Sequence, residues 1–204
     1  MGKKLSWEEL PTPCYVIDIK KLKENLQCLQ KIEQETGCHI LLAQKAFSMY
    51  SLYPLIGQYI SGTTASGLYE ARLGREEMGK ENHVYAPAYK QKDMEELAEI
   101  CDHIVFNSFA QYDKYRGIVA AEKSNGAAAS IGIRINPEYS TQQGHAIYDP
   151  CAAGSRLGMT YKNFEEAFGG CLPNDIEGLH FHTLCEQNAD DLIATFKSFE
   201  RKFG

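Results

Sequence analysis

Three short stretches bring reactive side chains to the ends of apolar runs. Leu41-Leu42-Ala43-Gln44 leads into Lys45, the run from Ala129 to Ile135 carries Arg134, and Ile176 to His182 ends in His180-Phe181-His182. An ammonium that loses part of its hydration has a lowered pKa, which makes a lysine such as Lys45 a nucleophile able to form a Schiff base with a carbonyl. The competing reading is a solvated lysine just past a strand. Two residues apart, His180 and His182 fall on one side of an extended segment and Phe181 on the other. Such a pair suits metal ligation, hydrogen-bonded core histidines or a ring laid on a planar cofactor. A His-x-His pair with no carboxylate or third histidine is weak support for a metal, and none is expected. In Gly154-Ser155-Arg156-Leu157-Gly158 the glycines allow close backbone approach and Arg156 suits an anionic or phenolate oxygen, although the same pattern also reads as a turn with an exposed arginine. Cys185 and Glu186 follow His182 directly and say little alone.

The elements that must hold these residues alternate along the chain. An extended piece over 13–17 precedes a helix over 19–35, with Leu22, Leu26 and Leu29 on one face. Strands are then expected at 39–43, 60–65, 83–86, 103–107, 129–135 and 176–182. Helices are expected between them at 49–59, 68–78, 92–100, 110–122 and 162–168, with a last one starting near 188. Repeated β-α units imply a parallel sheet with helices packed on it, an α/β class. A (β/α)8 barrel is the natural architecture, with its chemistry at the C-terminal ends of the strands, where Lys45, Arg134, His180 and His182 stand. A doubly wound sheet would call for a glycine-rich phosphate turn after its first strand, and no G-x-G-x-x-G occurs.

The composition agrees with a globular domain: 44% of the 204 residues are hydrophobic and 24% charged. The 21 lysines and arginines against 27 acidic residues give a net charge of −6, which offers no general attraction for nucleic acid. No apolar run is long enough to cross a membrane. The N-terminus has no signal-peptide core and fits only the short acylation pattern M-G-x-x-x-[ST]. Seven scattered cysteines without C-x-x-C spacing read as reduced thiols of a cytoplasmic protein.

Taken in order, the motifs resemble the fold type III pyridoxal phosphate (PLP) decarboxylases, the group of ornithine and diaminopimelate decarboxylases related to alanine racemase. The residues carrying the resemblance are Leu10 to Asp18, Leu41 to Ala46, Arg134-Ile135-Asn136-Pro137, Gly154 to Gly158 and Gly178 to His182. Ala43-Gln44-Lys45, Tyr148-Asp149-Pro150-Cys151 and His182-Thr183-Leu184-Cys185-Glu186 are most similar to the carboxynorspermidine (carboxyspermidine) decarboxylase branch. The resemblance implies PLP as cofactor, bound covalently by Lys45. It also implies that His182 stacks on the pyridine ring, that Arg156 faces the phenolic oxygen and that Arg134 lies nearby. By position only, Glu186 and Cys185 would meet substrate. Leu184 and Cys185 stand where ornithine and diaminopimelate decarboxylases carry a Gly-Ser pair, so the resemblance does not by itself carry over those two specificities.

The implied reaction is decarboxylation of a carboxylated polyamine to norspermidine or spermidine by a cytoplasmic homodimer, with neither nucleic acid nor membrane as partner. The alternative is a non-catalytic PLP carrier barrel. Family members are longer than this chain. The resemblance therefore implies about six of eight barrel units, an apparently truncated N-terminal PLP-binding domain over 1–204, and absence of the family's C-terminal β-domain, which the strand at 13–17 would otherwise join.

Overall fold

The structure, a computed structural model, describes residues 6–142 and 146–204; the N-terminal acylation pattern falls largely outside them. Six strands, β1 (Leu41–Ala43), β2 (Gly62–Ala65), β3 (Glu81–Tyr85), β4 (His103–Phe106), β5 (Ser130–Arg134) and β6 (Ile176–His180), form one sheet in sequence order, every pair parallel. Helix α1 (Ile19–Thr36) precedes β1. Helices α2 (Tyr53–Ile56), α3 (Leu68–Leu73), α4 (Met94–Ile100), α5 (Phe109–Ser124) and α6 (Tyr161–Phe168) connect successive strands, and α7 (Ala189–Phe203) follows β6. An unbroken order from first to sixth strand is the wall of a barrel, because a doubly wound sheet reverses direction part-way. Among the described residues β1 and β6 each pair on one side only, so the sheet is the expected partial (β/α)8 wall.

Alternation along the strands creates two faces. On β3, Asn82 and Val84 are buried towards the helices, whereas Glu81, His83 and Tyr85 are only partly covered on the concave side. On β4, Ile104 and Phe106 are fully buried and His103 and Val105 partly covered. The main core joins these outward residues to Ile131, Ile133, Tyr112, Tyr115, Phe164 and Phe168, and a smaller cluster packs Leu26 of α1 against Tyr53, Ile56 and Ile60. Helix starts are set by side chains that accept from free amides: Asp18 from Lys20 and Lys21, Ser108 from Gln111, and Thr160 from Asn163. A reciprocal box of Asn188 and Asp191 opens α7.

Several boundaries differ from the sequence expectation. The helix expected over 49–59 is a 3-10 turn (Tyr50–Leu52) followed by the single turn α2. Pro54 suits the first turn of α2, since no intrahelical N–H is needed there. The helix expected over 68–78 changes at Gly74 into a π-helical stretch, Gly74–Met78. Gly74 lies against the sheet so closely that a Cβ would stand 2.3 Å from Thr63 Oγ1, leaving no room for any larger residue. No strand forms over 13–17, where Tyr15 is 93% exposed. β6 stops at His180, so His182 lies two residues beyond it.

Candidate active site

A cleft of about 900 Å3 opens at the C-terminal ends of the strands. Lys45, Arg134, Arg156, His180, His182 and Cys185 all line it. Of the expected site residues only Glu186 is not among the lining residues; it sits exposed in the β6–α7 loop with φ 54°. Lys45 follows β1 in a turn and is exposed, as in the reading of a solvated lysine just past a strand, because the cleft is open on that side. Its neighbour Gln44 is fully buried and accepts from the Tyr53 hydroxyl at 3.4 Å, which fixes the backbone that presents Lys45.

Arg134 ends β5 and is 5% exposed. Its Nη2 donates to the His182 carbonyl at 3.3 Å, its guanidinium lies 4.6 Å from the Tyr85 ring centroid, and its Nε has no partner. No carboxylate makes an ion pair with it among the described residues. A buried cation balanced only by a carbonyl and an aromatic face is costly, and an anionic ligand in the cleft would offset that cost. His180 stacks on Tyr85 at 5.4 Å between centroids, and its Nδ1 is buried without a partner. Burial, with the Arg134 charge second, pushes the His180 imidazolium down to about 4, so the ring is neutral near pH 7. His182 is lowered too, first by partial covering of the ring, then by the charges of Arg134 and Lys45. Phe181 turns the other way and packs on Phe199, so the alternation expected for His180-Phe181-His182 persists past the strand end.

Arg156 is exposed on the loop between β5 and α6 and borders the cleft. The loop is held by Asn107, which follows β4: Asn107 Nδ2 donates to the Arg156 carbonyl at 2.9 Å and Oδ1 accepts from the Gly158 amide at 2.8 Å. The Tyr85 hydroxyl donates to the same Oδ1 at 2.7 Å. Sequence reasoning missed Tyr85 and Asn107. The available signal was their place at the C-terminal ends of β3 and β4, where a barrel builds its site.

The donor set fits PLP. A primary amine, two guanidiniums and two neutral imidazoles surround one cleft, and the buried unpartnered Arg134 Nε suits an anionic, planar, carbonyl-bearing group. The parallel sheet with its helices has the fold of the fold type III decarboxylases and spans about half of those chains. A lysine decarboxylase structure in complex with PLP and cadaverine, 16% identical, shares the fold with a TM-score of 0.69, covering 100% of this chain and 50% of its own.

Within that class the chain is a homologue of carboxynorspermidine/carboxyspermidine decarboxylase. It is 40% identical over 198 residues to that enzyme from Campylobacter jejuni, covering 97% of this chain and 49% of the relative. A carboxyaminopropylagmatine decarboxylase from Synechocystis is 38% identical over 195 residues, covering 96% and 48%. The crystal structure of the C. jejuni carboxynorspermidine decarboxylase complexed with norspermidine superposes with a TM-score of 0.82 at 39% identity, covering 96% of this chain and 47% of that one. The chain thus spans about half the length of the curated relatives it matches. No family model matches it.

Proposed function

We propose that the cleft binds PLP through Lys45 and that these six βα units are the cofactor-binding part of a decarboxylase acting on a carboxylated polyamine of the carboxynorspermidine/carboxyspermidine kind. The observation that carries this reading is the convergence of Lys45 and His182 with the buried, carboxylate-free Arg134 in one cleft. When bound, the cofactor supplies an aldehyde that links to amines and a ring that takes up the electron pair released with CO2.

The chain's own residues supply position and charge. Lys45 presents its amine from the exposed wall. His182 offers a neutral ring as a stacking surface, and the lowered pKa of the imidazolium keeps it neutral beside Arg134. Arg134 and Arg156 bring positive charge to the anionic edge of the ligand. Cys185 borders the cleft, and Glu186 lies one residue further, where its carboxylate would meet the amine of a long substrate outside the described cleft. Gln44 and Asn107 fix the segments that carry Lys45 and Arg156.

The seven cysteines are all free thiols, which supports a reducing, cytoplasmic setting. No helix among the described residues is long and apolar enough to cross a membrane, and the net charge of −6 supports no nucleic-acid role. A homodimer, and pairing of the exposed 13–17 segment with a further domain, belong to the same proposal. A non-catalytic PLP carrier is not favoured, because the curated relatives named above are decarboxylases.

The test is CO2 release by the PLP-loaded protein from carboxynorspermidine, carboxyspermidine and carboxyaminopropylagmatine, assayed in parallel. Release from one of the first two, lost in Lys45→Ala, is the expected outcome. Bound PLP with no release from any of the three supports the carrier instead.

A further inference from the structure

The concave face carries a second cluster towards the opposite ends of the strands, with Glu81 about 13 Å and His83 about 7 Å along β3 from Tyr85. Glu81 and His83 stand two apart on β3, and His103 pairs with His83 across the β3–β4 ladder. One ligand-capable atom from each lies within 4.8 Å of the others. Two imidazoles converge on one carboxylate oxygen: His83 Nε2 is 2.8 Å and His103 Nε2 is 3.1 Å from Glu81 Oε1. The two rings are 4.2 Å apart between centroids.

A divalent ion bound by histidine nitrogen and carboxylate oxygen at about 2.0–2.2 Å sets those donors roughly 3 Å apart, the spacing found here. The outer atoms of two donors are already engaged. Glu81 Oε2 lies 2.6 Å from His39 Nδ1, and His103 Nδ1 contacts Ser130 Oγ, its ladder partner on β5. Partners of this kind orient metal ligands.

We propose that Glu81, His83 and His103 bind a divalent cation of the zinc class, with His39 and Ser130 as positioning residues. Two imidazoles and a carboxylate suit Zn2+, Co2+ and Ni2+ better than the harder Mg2+ or Ca2+. The ion joins β3 to β4 at the end of the barrel associated with stability rather than chemistry. It therefore raises the resistance of the sheet to unfolding without entering the cleft.

The probe is Co2+ alone, then Zn2+, titrated into the metal-stripped full chain with absorbance and heat recorded together. Expected are one saturable equivalent, ligand-field bands without a thiolate-to-cobalt band, displacement of cobalt by zinc, and a rise in Tm with zinc. Glu81→Gln, nearly isosteric, is expected to lose the equivalent and the zinc-dependent rise in Tm. Ser130→Ala is expected to keep the fold and weaken binding about 10-fold, so it carries the test if Glu81→Gln does not fold. No saturable binding, a thiolate-to-cobalt band from the free cysteines, or binding unaltered in Ser130→Ala and in a folded Glu81→Gln overturns the proposal.

Discussion

Asn107 clamps the backbone of Arg156: its Nδ2 donates to the Arg156 carbonyl at 2.9 Å, while its Oδ1 takes the Gly158 amide at 2.8 Å. The Tyr85 hydroxyl donates to that Oδ1 as well, so one side chain ties the arginine loop to the aromatic ring beneath Arg134 and beside His180. Asn107→Ala removes both hydrogen bonds to the loop, each worth about 1 kcal/mol. Amide hydrogen exchange at Gly158 should accelerate on the order of tenfold, since about 1.4 kcal/mol corresponds to that factor. Global stability should change far less than local protection. Unaltered exchange at Gly158 would show that the loop is held by something else.

Gly158 itself has φ +83°, and a Cβ there would stand 2.8 Å from the Ile135 carbonyl carbon. Backbone strain and the clash both act against Gly158→Ala, which should destabilise by more than about 1 kcal/mol. Denaturant unfolding measures it, and a neutral result would mean that the loop is free to shift away from Ile135.

The pH dependence of stability should carry the signature of His180. In the fold its imidazolium pKa is depressed to about 4, whereas an unfolded histidine titrates near 6.5. Between those values the unfolded chain holds more protons, so stability rises with pH across the window and is lost as pH falls from about 6.5 towards about 4. Unfolding free energies at pH 5 and pH 7 should differ more in the unsubstituted protein than in His180→Asn. Equal differences would contradict the burial-driven shift.

The core makes a sharper demand. Phe106 is fully buried between Tyr89, edge-on at 5.9 Å, and Tyr115, stacked at 6.2 Å. Phe106→Ala should cost about 3–5 kcal/mol by denaturant titration. Tyr15→Ala, at a side chain 93% exposed, should stay within about 0.5 kcal/mol in the same assay.

How far the sequence could be read follows from the kind of signal each residue left. The β-α alternation was visible because short apolar runs separated by helical periods are a local pattern, and Lys45, Arg134 and His180 stood at run ends where a barrel places its site. Element limits drifted where a local cause intervened, as at Pro54 in α2 and at Gly74, where the α-helix gives way to a π turn. Tyr85 passed unnoticed because an aromatic residue in a strand is ordinary β composition. Its role shows only when Arg134 and Asn107 close around it. Glu81 and His83 show their i, i+2 spacing in the sequence, but His103 joins them through strand register, which no local pattern encodes. The exposure of Lys45 and the absence of Glu186 from the cleft wall depend on where the loops run, and residue type says nothing about that.

Covalent attachment at Lys45 is the central claim, and borohydride reduction of the PLP-treated protein followed by peptide mass mapping tests it most directly. The account predicts one pyridoxyl group per chain, on the peptide containing Lys45, and none in Lys45→Ala. Label spread over surface lysines, or the same amount of label in Lys45→Ala, would contradict it.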